Sequence, residues 1–285
     1  MTDCPVCRWP VRAEFFRKAE NSLIICESCR HICWERFPVE QELSDYYQRQ
    51  YTDIHSQENI QTGNRTYYAG HLQDLLKRTG RRPGQCQILD YGCSIPVLIE
   101  EAVRAGFRRA VGVDYADEVR IHAARNGLEV IPPGGLALVP DTSLDIVRFS
   151  HILEHTIDPG LVLGGVLRKV RPGGLVYITQ PSNPVLRCRP SPHDLKDAVF
   201  PEHLHFFSPI SLIELVSRQK LEIQQFFTHQ NESAVLAAYK DMVDLEYARE
   251  RLSNYKSKGE KTIPSLANFP CYAGENSVLY AFKHK

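Results

Sequence analysis

From residue 87 onward, short apolar runs alternate with stretches of helical periodicity, and Gly or Pro marks most changes of pattern. Ile88-Leu89 runs into Asp90, residues 97–105 have helical spacing and stop at Gly106, and 110–114 is a second apolar run ending in Asp114. Residues 116–126 predict a helix closed by Gly127, 128–131 and 144–149 a third and a fourth strand, and 161–170 another helix. Arg171-Pro-Gly-Gly174 then predicts the turn into a fifth strand over 175–179. Further on, Ser208-Pro-Ile-Ser211 opens a helix to Arg218, 221–227 reads as a strand, 231–256 as mainly helical and 277–282 as a last strand. Short strands that are apolar throughout and separated by helices make a parallel sheet covered on both faces, and such sheets bind ligands at the carboxyl ends of their strands. The ligand edge is therefore the one that carries Asp90 and Asp114.

The N-terminal stretch has a different pattern. Cys4-Pro-Val-Cys7 and Cys26-Glu-Ser-Cys29 are two Cys-x-x-Cys knuckles 18 residues apart, with Phe15, Phe16, Leu23, Ile24 and Ile25 between them. This is zinc-ribbon spacing, and four thiolates in a tetrahedron saturate Zn²⁺, so Cys4, Cys7, Cys26 and Cys29 are expected to hold a structural ion. A module of about 35 residues buries too little apolar surface to fold alone, so metal binding would supply its folding energy. His31 and Cys33, just past the second knuckle, read either as substitute ligands or as ordinary residues of the next strand. Residues 38–84 form a tyrosine-rich connector with Tyr46, Tyr47, Tyr51, Tyr67 and Tyr68 and a helical pattern through Leu72, Leu75 and Leu76, which reads as a helix packed on the main domain or, alternatively, as aromatic residues in direct contact with a ligand. Gly80-Arg-Arg-Pro-Gly84 ends it. The expected organisation is a zinc ribbon at 1–37, a helical connector at 38–84, and an α/β domain at 85–285 with a helical insertion about 231–260.

Composition narrows the class. Lys plus Arg and Asp plus Glu both number 34, so the formal charge is zero, and no block of like charge points to nucleic acid or an anionic membrane. No apolar run reaches the roughly 20 residues that span a bilayer, and the start has no leader-like segment. Paired cysteines then argue for metal in a reducing compartment, and the expectation is a cytoplasmic protein whose oligomeric state stays open.

The chemistry gathers at the strand ends. Asp90-Tyr91-Gly92-Cys93 turns from the first strand of the sheet into a helix, and Asp114-Tyr115 follows the next strand 24 residues later, where a carboxylate offers two acceptor oxygens to two ribose hydroxyls. A dinucleotide site would carry more glycines to let a pyrophosphate approach the backbone, whereas here Ser94 and Pro96 stand in those places, suited to a helix start. Leu144-Asp145-Ile-Val, Leu153-Glu154-His155-Thr-Ile-Asp158-Pro159 and Leu167-Arg-Lys-Val-Arg-Pro-Gly-Gly-Leu175 complete a pattern that resembles the class I S-adenosylmethionine-dependent methyltransferases over about 87–282. That resemblance implies a Rossmann-like seven-stranded sheet whose final strand inserts antiparallel between 175–179 and 221–227. It also implies S-adenosylmethionine contacts at Asp90, Tyr91, Gly92, Cys93, Asp114, Tyr115, Ser150 and His151. An acid that often holds adenine in the family is replaced by Ile131-Pro-Pro-Gly-Gly135, which leaves backbone and apolar contacts for that ring.

Pro201-Glu202-His203-Leu-His205-Phe206-Phe207-Ser208 resembles a stretch of zinc-module methyltransferases that act on nucleotide-linked sugars. By that resemblance Glu202 and His203 are candidates for proton transfer; independently of it His203, His205 and His155 are the histidines available as a base, and a hydrogen-bonded structural histidine at a loop end is the alternative for each of the three. Displacement at a sulfonium by a hydroxyl needs a base near neutral pH, a role suited to His. Arg187, Arg189, His193 and Lys196 lie in a Pro-rich loop where they would meet a diphosphate or simply solvent. The expected function is methyl transfer to a small-molecule or sugar acceptor, O-methylation with a His base. The rivals are an RNA base methyltransferase and a non-catalytic binding protein built on the same sheet.

Overall fold

The computed structural model describes residues 3–9, 13–18, 20–29, 31–50, 65–181, 200–207, 209–228 and 276–284. Tyr51, the loop bearing Arg187, Arg189, His193 and Lys196, and the helical insertion expected near 231–260 lie outside these residues. The chain divides into two compact units, one of Met1–Phe37, Leu153–Val162 and Thr179–Ala281, the other of Pro38–Ile152, Leu163–Ile178 and Phe282–Lys285.

The second unit contains the strands read first. β4 (Gln87–Tyr91), β5 (Arg109–Val113), β6 (Glu129–Ile131) and β7 (Leu144–Ser150) are parallel neighbours, with Asp90 of β4 opposite Gly112 on one side and Arg148 on the other. β4 is buried at every position, as expected of a strand covered on both faces. With β8 (Val170–Pro181), β10 (Leu221–Thr228) and β11 (Asn276–Lys283), these strands make a seven-stranded mixed sheet in the order β10-β11-β8-β7-β4-β5-β6. The last strand of the chain is inserted between β8 and β10, the arrangement implied by the family resemblance.

Helices α1 (Glu40–Gln50), α2 (Arg65–Thr79), α3 (Val97–Arg104) and α4 (Asp117–Arg125) belong to the same unit. α3 buries Val97, Leu98, Ile99 and Ala102, and its Glu101 is held by Arg65 of α2 at 2.8 Å and by Arg104 at 3.1 Å. α2 buries His71, Leu72 and Leu75.

Two local expectations are corrected. Arg171-Pro-Gly-Gly174 is not a turn ahead of a strand but lies within β8, because Gly173 at φ +71° absorbs the kink. At Gly174 a Cβ would meet Val170 Cγ1 at 2.5 Å. Helix α5 (Pro159–Leu167) begins earlier than its apolar periodicity, since Asp158 Oδ1 accepts the Leu161 N–H at 2.9 Å and Pro159 is tolerated in a first turn.

The first unit contains a four-stranded sheet of order β1-β2-β3-β9, built from β1 (Ala13–Lys18), β2 (Asn21–Ile25), β3 (Ile32–Trp34) and β9 (His205–Phe206). β1 to β3 follow one another in sequence, while β9 joins β3 antiparallel, pairing Ile32 with Phe206 and Cys33 with His205. α6 (Pro209–Arg218) follows β9.

Candidate cofactor corner and metal centre

The turn after β4 is shaped by contacts that leave no room for side chains. Gly92 has φ +75°, and a Cβ there would lie 1.9 Å from Ile152 Cδ1, so only glycine fits. The N–H groups of Gly92 and Cys93 donate to the Val113 carbonyl at 2.7 and 3.0 Å, which ties the turn to the end of β5. Ser94 occupies the left-handed region at φ +50°, the conformation that favours glycine. The expectation that Ser94 caps the following helix is corrected: the cap position is Pro96, without a side-chain cap, and Pro96 therefore precedes the first turn.

Asp114 explains the arrangement. One of its carboxylate oxygens accepts the Ser94 N–H at 2.8 Å and the other the Ala116 N–H at 3.0 Å. Burial raises its pKa, against the pull of those two bonds. Each oxygen keeps a second lone pair, so the group can still accept two hydroxyl donors.

Asp90 is more deeply buried, 1% exposed, and takes Arg148 Nη1 at 2.8 Å across the parallel ladder. Burial pushes the Asp90 carboxyl up while Arg148 opposes the shift. The Arg148 guanidinium lies 5.9 Å from the centre of the Tyr68 ring, a cation–π arrangement. Sequence reasoning missed Arg148; the signal was a charged residue inside an otherwise apolar strand, at the register of the buried acid.

The other strand-end residues fall into two groups. Tyr91 is buried with its ring 5.5 Å from Phe149, and the Cys93 thiol is buried where Gly112 lacks a side chain, with its pKa pushed well up by burial. Both are placed to support the turn by packing. Tyr115 faces the connector: its ring stacks on Tyr47, its hydroxyl donates to Glu40 Oε1, and its carbonyl accepts Gln48 Nε2 at 2.9 Å. Ser150 ends β7 and His151 follows in a left-handed conformation at φ +55°. Residues 133–138 form a short helical turn after Pro132, with Leu138 largely exposed.

In the first unit, Cys4, Cys7, Cys26 and Cys29 are all buried, and their sulfurs lie within 4.8 Å of one another. Cys4 and Cys29 sulfurs are 3.6 Å apart, those of Cys7 and Cys26 3.5 Å, and the Cys7 N–H points at Cys4 Sγ at 3.5 Å. The thiols pull on one another's protons: a bond from Cys29 lowers Cys26, and the same contact raises Cys29. Four soft donors converging on one point fit a tetrahedral thiophilic ion.

Glu202, His203 and His155 also meet within this unit. A carbonyl can only accept, so His155 Nδ1–H donates to the Glu202 carbonyl at 2.8 Å, and in the neutral ring Nε2 carries the lone pair. Burial lowers the His155 pKa and favours that neutral form. The His155 and His203 rings are 4.7 Å apart, and Trp34 Nε1–H donates to the His203 carbonyl at 2.8 Å. His205 is buried nearby in the same sheet, donates from Nε2 to the Thr156 carbonyl at 2.8 Å, and is pushed down to about 4 by burial. His31, Cys33 and His205 form a second buried cluster; the sequence offered His31 and Cys33 as substitute ligands for the knuckles or ordinary strand residues, without linking them to His205.

A seven-stranded mixed sheet whose strands β4 to β7 pair in parallel, alternating with helices along the chain, is of Rossmann-like α/β class. The methyltransferase domain family matches residues 37–225, and the chain belongs to it, within the class I S-adenosylmethionine-dependent methyltransferases. Among curated relatives, the ubiquinone biosynthesis O-methyltransferase of Neisseria meningitidis is 30% identical over 122 residues, 40% of this chain and 48% of that protein. Its counterpart in Aeromonas salmonicida is 34% identical over 102 residues, 33% of this chain and 42% of that protein. The chain thus spans about half the length of the curated relatives it matches. In fold it is similar to the 1,6-didemethyltoxoflavin-N1-methyltransferase of Burkholderia thailandensis, solved with bound 1,6-didemethyltoxoflavin and S-adenosylhomocysteine, at a TM-score of 0.53 and 14% identity over 96% of this chain and 100% of that one. Among the described residues no helix is long and apolar enough to cross a membrane.

Proposed function

We propose that this protein transfers a methyl group from S-adenosylmethionine to a hydroxyl of a small-molecule acceptor, with zinc held structurally by Cys4, Cys7, Cys26 and Cys29. The observation that carries the reading is Asp114, whose carboxylate is oriented by two backbone N–H groups and still has an acceptor lone pair on each oxygen for a ribose diol. Gly92 keeps the turn closed against Ile152, and Tyr115, Ser150 and His151 border the same strand ends. Asp90, Tyr91 and Cys93 support that turn from below. The cofactor supplies an electrophilic methyl on a sulfonium; the protein's own contribution is to hold the acceptor in line, exclude water and accept the hydroxyl proton.

For the proton, Glu202, His203 and His155 form the candidate group. His155 has the tautomer of a base, since its Nδ1–H is committed to the Glu202 carbonyl, and His203 lies against its ring. The names of the curated relatives favour oxygen as the acceptor atom, and a nucleotide-linked sugar remains one acceptor class within that reading. The three-part organisation of ribbon, connector and catalytic domain, at 1–37, 38–84 and 85–285, belongs to the same proposal.

Calorimetry with S-adenosylhomocysteine tests the first step: binding that weakens in Asp114→Ala is expected, and no heat at sub-millimolar ligand removes the enzyme reading. Turnover assays on a panel of phenolic and sugar acceptors with His203→Ala and His155→Ala test the second. Unchanged kcat in both variants would rule out His203 and His155 as the base.

A further inference from the structure

The cluster at His31, Cys33 and His205 is separate from the tetrathiolate cage. We propose that these three side chains form a second metal site, taking a zinc-class divalent cation through two imidazole nitrogens and one thiolate. The inference does not rest on the assigned activity, only on the geometry of one strand pair.

All three residues are buried, at 1 to 2% exposure, and one donor atom from each lies within 4.8 Å of the others. Antiparallel pairing brings them together: Cys33 is directly opposite His205, although 172 residues separate them in the chain. His205 is oriented as metal-binding histidines are. Its Nε2–H is committed to the Thr156 carbonyl at 2.8 Å, which fixes Nδ1 as the lone-pair nitrogen and turns it into the cluster. That Nδ1 is 3.0 Å from His31 Nε2. Two nitrogens on one tetrahedral zinc, each at about 2.05 Å, are roughly 3.3 Å apart, so a shift of a few tenths of an ångström suffices.

Without an ion, the two facing imidazole nitrogens satisfy each other across 3.0 Å. His205 Nδ1 can only accept, so His31 must donate from Nε2, and His31 Nδ1 is then a buried acceptor with no hydrogen-bond partner. In the bound form His31 gives its Nε2 lone pair to the cation and carries its proton on Nδ1, which lacks a protein partner in either form. Cys33 loses its thiol proton to solvent as the metal–sulfur bond forms, so one proton is released and the site's net charge rises by one. Three protein ligands leave a fourth position for water. The rings of Phe37 and Phe207 wall the cluster, at 5.2 Å from His205 and 4.7 Å from His31.

The consequence is a clamp. β9 is two residues long and pairs with β3 at only two positions, yet only Leu204 separates it from Glu202 and His203. A cation bridging β3 and β9 would hold that segment, including the His203 carbonyl that takes the Trp34 indole N–H.

The test is metal counting on the full chain by elemental analysis, with titration of the metal-free protein by Co²⁺ alone. Two equivalents per chain are expected in the wild type. Cys33→Ala and His31→Gln should each bind one, with the intense sulfur-to-cobalt bands of the tetrathiolate retained. Saturation at a single Co²⁺ in the wild type overturns the proposal, and so does a second equivalent that persists in both variants. If either variant fails to fold, the wild-type titration decides alone. Calorimetry with S-adenosylhomocysteine reads cofactor binding independently of the metal count, so the two proposals fail separately.

Discussion

The cysteine cage and the strand-end corner both bury polar atoms, but different forces position them. In the cage, four sulfurs come from two knuckles within the first 29 residues, and their convergence is local in sequence and directed at a single point. In the corner, Asp90 and Asp114 come from neighbouring strands, and parallel pairing of β4 with β5 and β7 sets where they lie. Around the cage in sequence stand the buried Val6, Leu23, Ile24, Ile25 and Ile32, a short apolar set for a module of about 35 residues. The corner is built on Leu89, Val111, Val113, Val147 and Phe149, which are essentially inaccessible. Polar groups held by a ligand should be lost together with it, whereas polar groups held by a core should survive single changes and report them individually.

Four experiments can break or sharpen that contrast. The largest effect is expected from Cys26→Ser. Removing one thiolate should abolish tight metal retention in the cage, for which apparent structural zinc affinities correspond to about 10–16 kcal/mol, and amide exchange in β1 to β3 should become fast. S-adenosylhomocysteine binding in the other unit should persist; if it disappears too, the contrast between the two regions fails.

Arg148→Met is next, because it leaves Asp90 buried without its partner, at a cost of about 3–5 kcal/mol. Asp90→Asn in the same background should recover much of the loss. Burial already raises the Asp90 pKa. A carboxyl whose folded pKa exceeds its unfolded one adds stability below the unfolded value and loses it as pH rises through the folded value. The Arg148→Met deficit should therefore be smaller in acid than at neutral pH in denaturant unfolding. Equal deficits would show that Asp90 is not ionised in the native protein.

Asp114→Asn should weaken S-adenosylhomocysteine binding about 10- to 100-fold, roughly 1.4–2.8 kcal/mol, while the fold keeps part of its backbone bonding through the amide oxygen. An unchanged affinity would move the ribose elsewhere. The smallest effect belongs to Ser94→Gly. Relief of a left-handed non-glycine residue, offset by the entropy of glycine in the unfolded chain, should stabilise the protein by about 0.5–1 kcal/mol with little change in binding.

Much of this was legible from the chain. The alternation of short apolar runs with helical stretches gave the strands and helices of the sheet to within a few residues, because burial on both faces leaves a continuous apolar signature. The Cys-x-x-Cys pairs were equally plain, since a knuckle is a local structure. Arg171-Pro-Gly-Gly174 misled because two glycines and a proline signal a turn whether the chain reverses or only kinks inside a strand. Ser94 misled for a related reason: its hydroxyl suits a cap, but its backbone was already committed to the Asp114 carboxylate.

What the sequence determined by itself, then, is whatever depends on neighbours in the chain: element type, the glycine turn at Gly92, the thiolate cage and the family pattern. The tertiary structure decided the pairings made across long separations. Arg148 became the partner of Asp90 through strand register, and His205 joined His31 and Cys33 through a two-residue strand 172 positions away. Periodicity tells which face of a strand is buried, but it carries no information about which strand lies beside it. Buried charges and buried imidazoles acquire their chemistry from that neighbour.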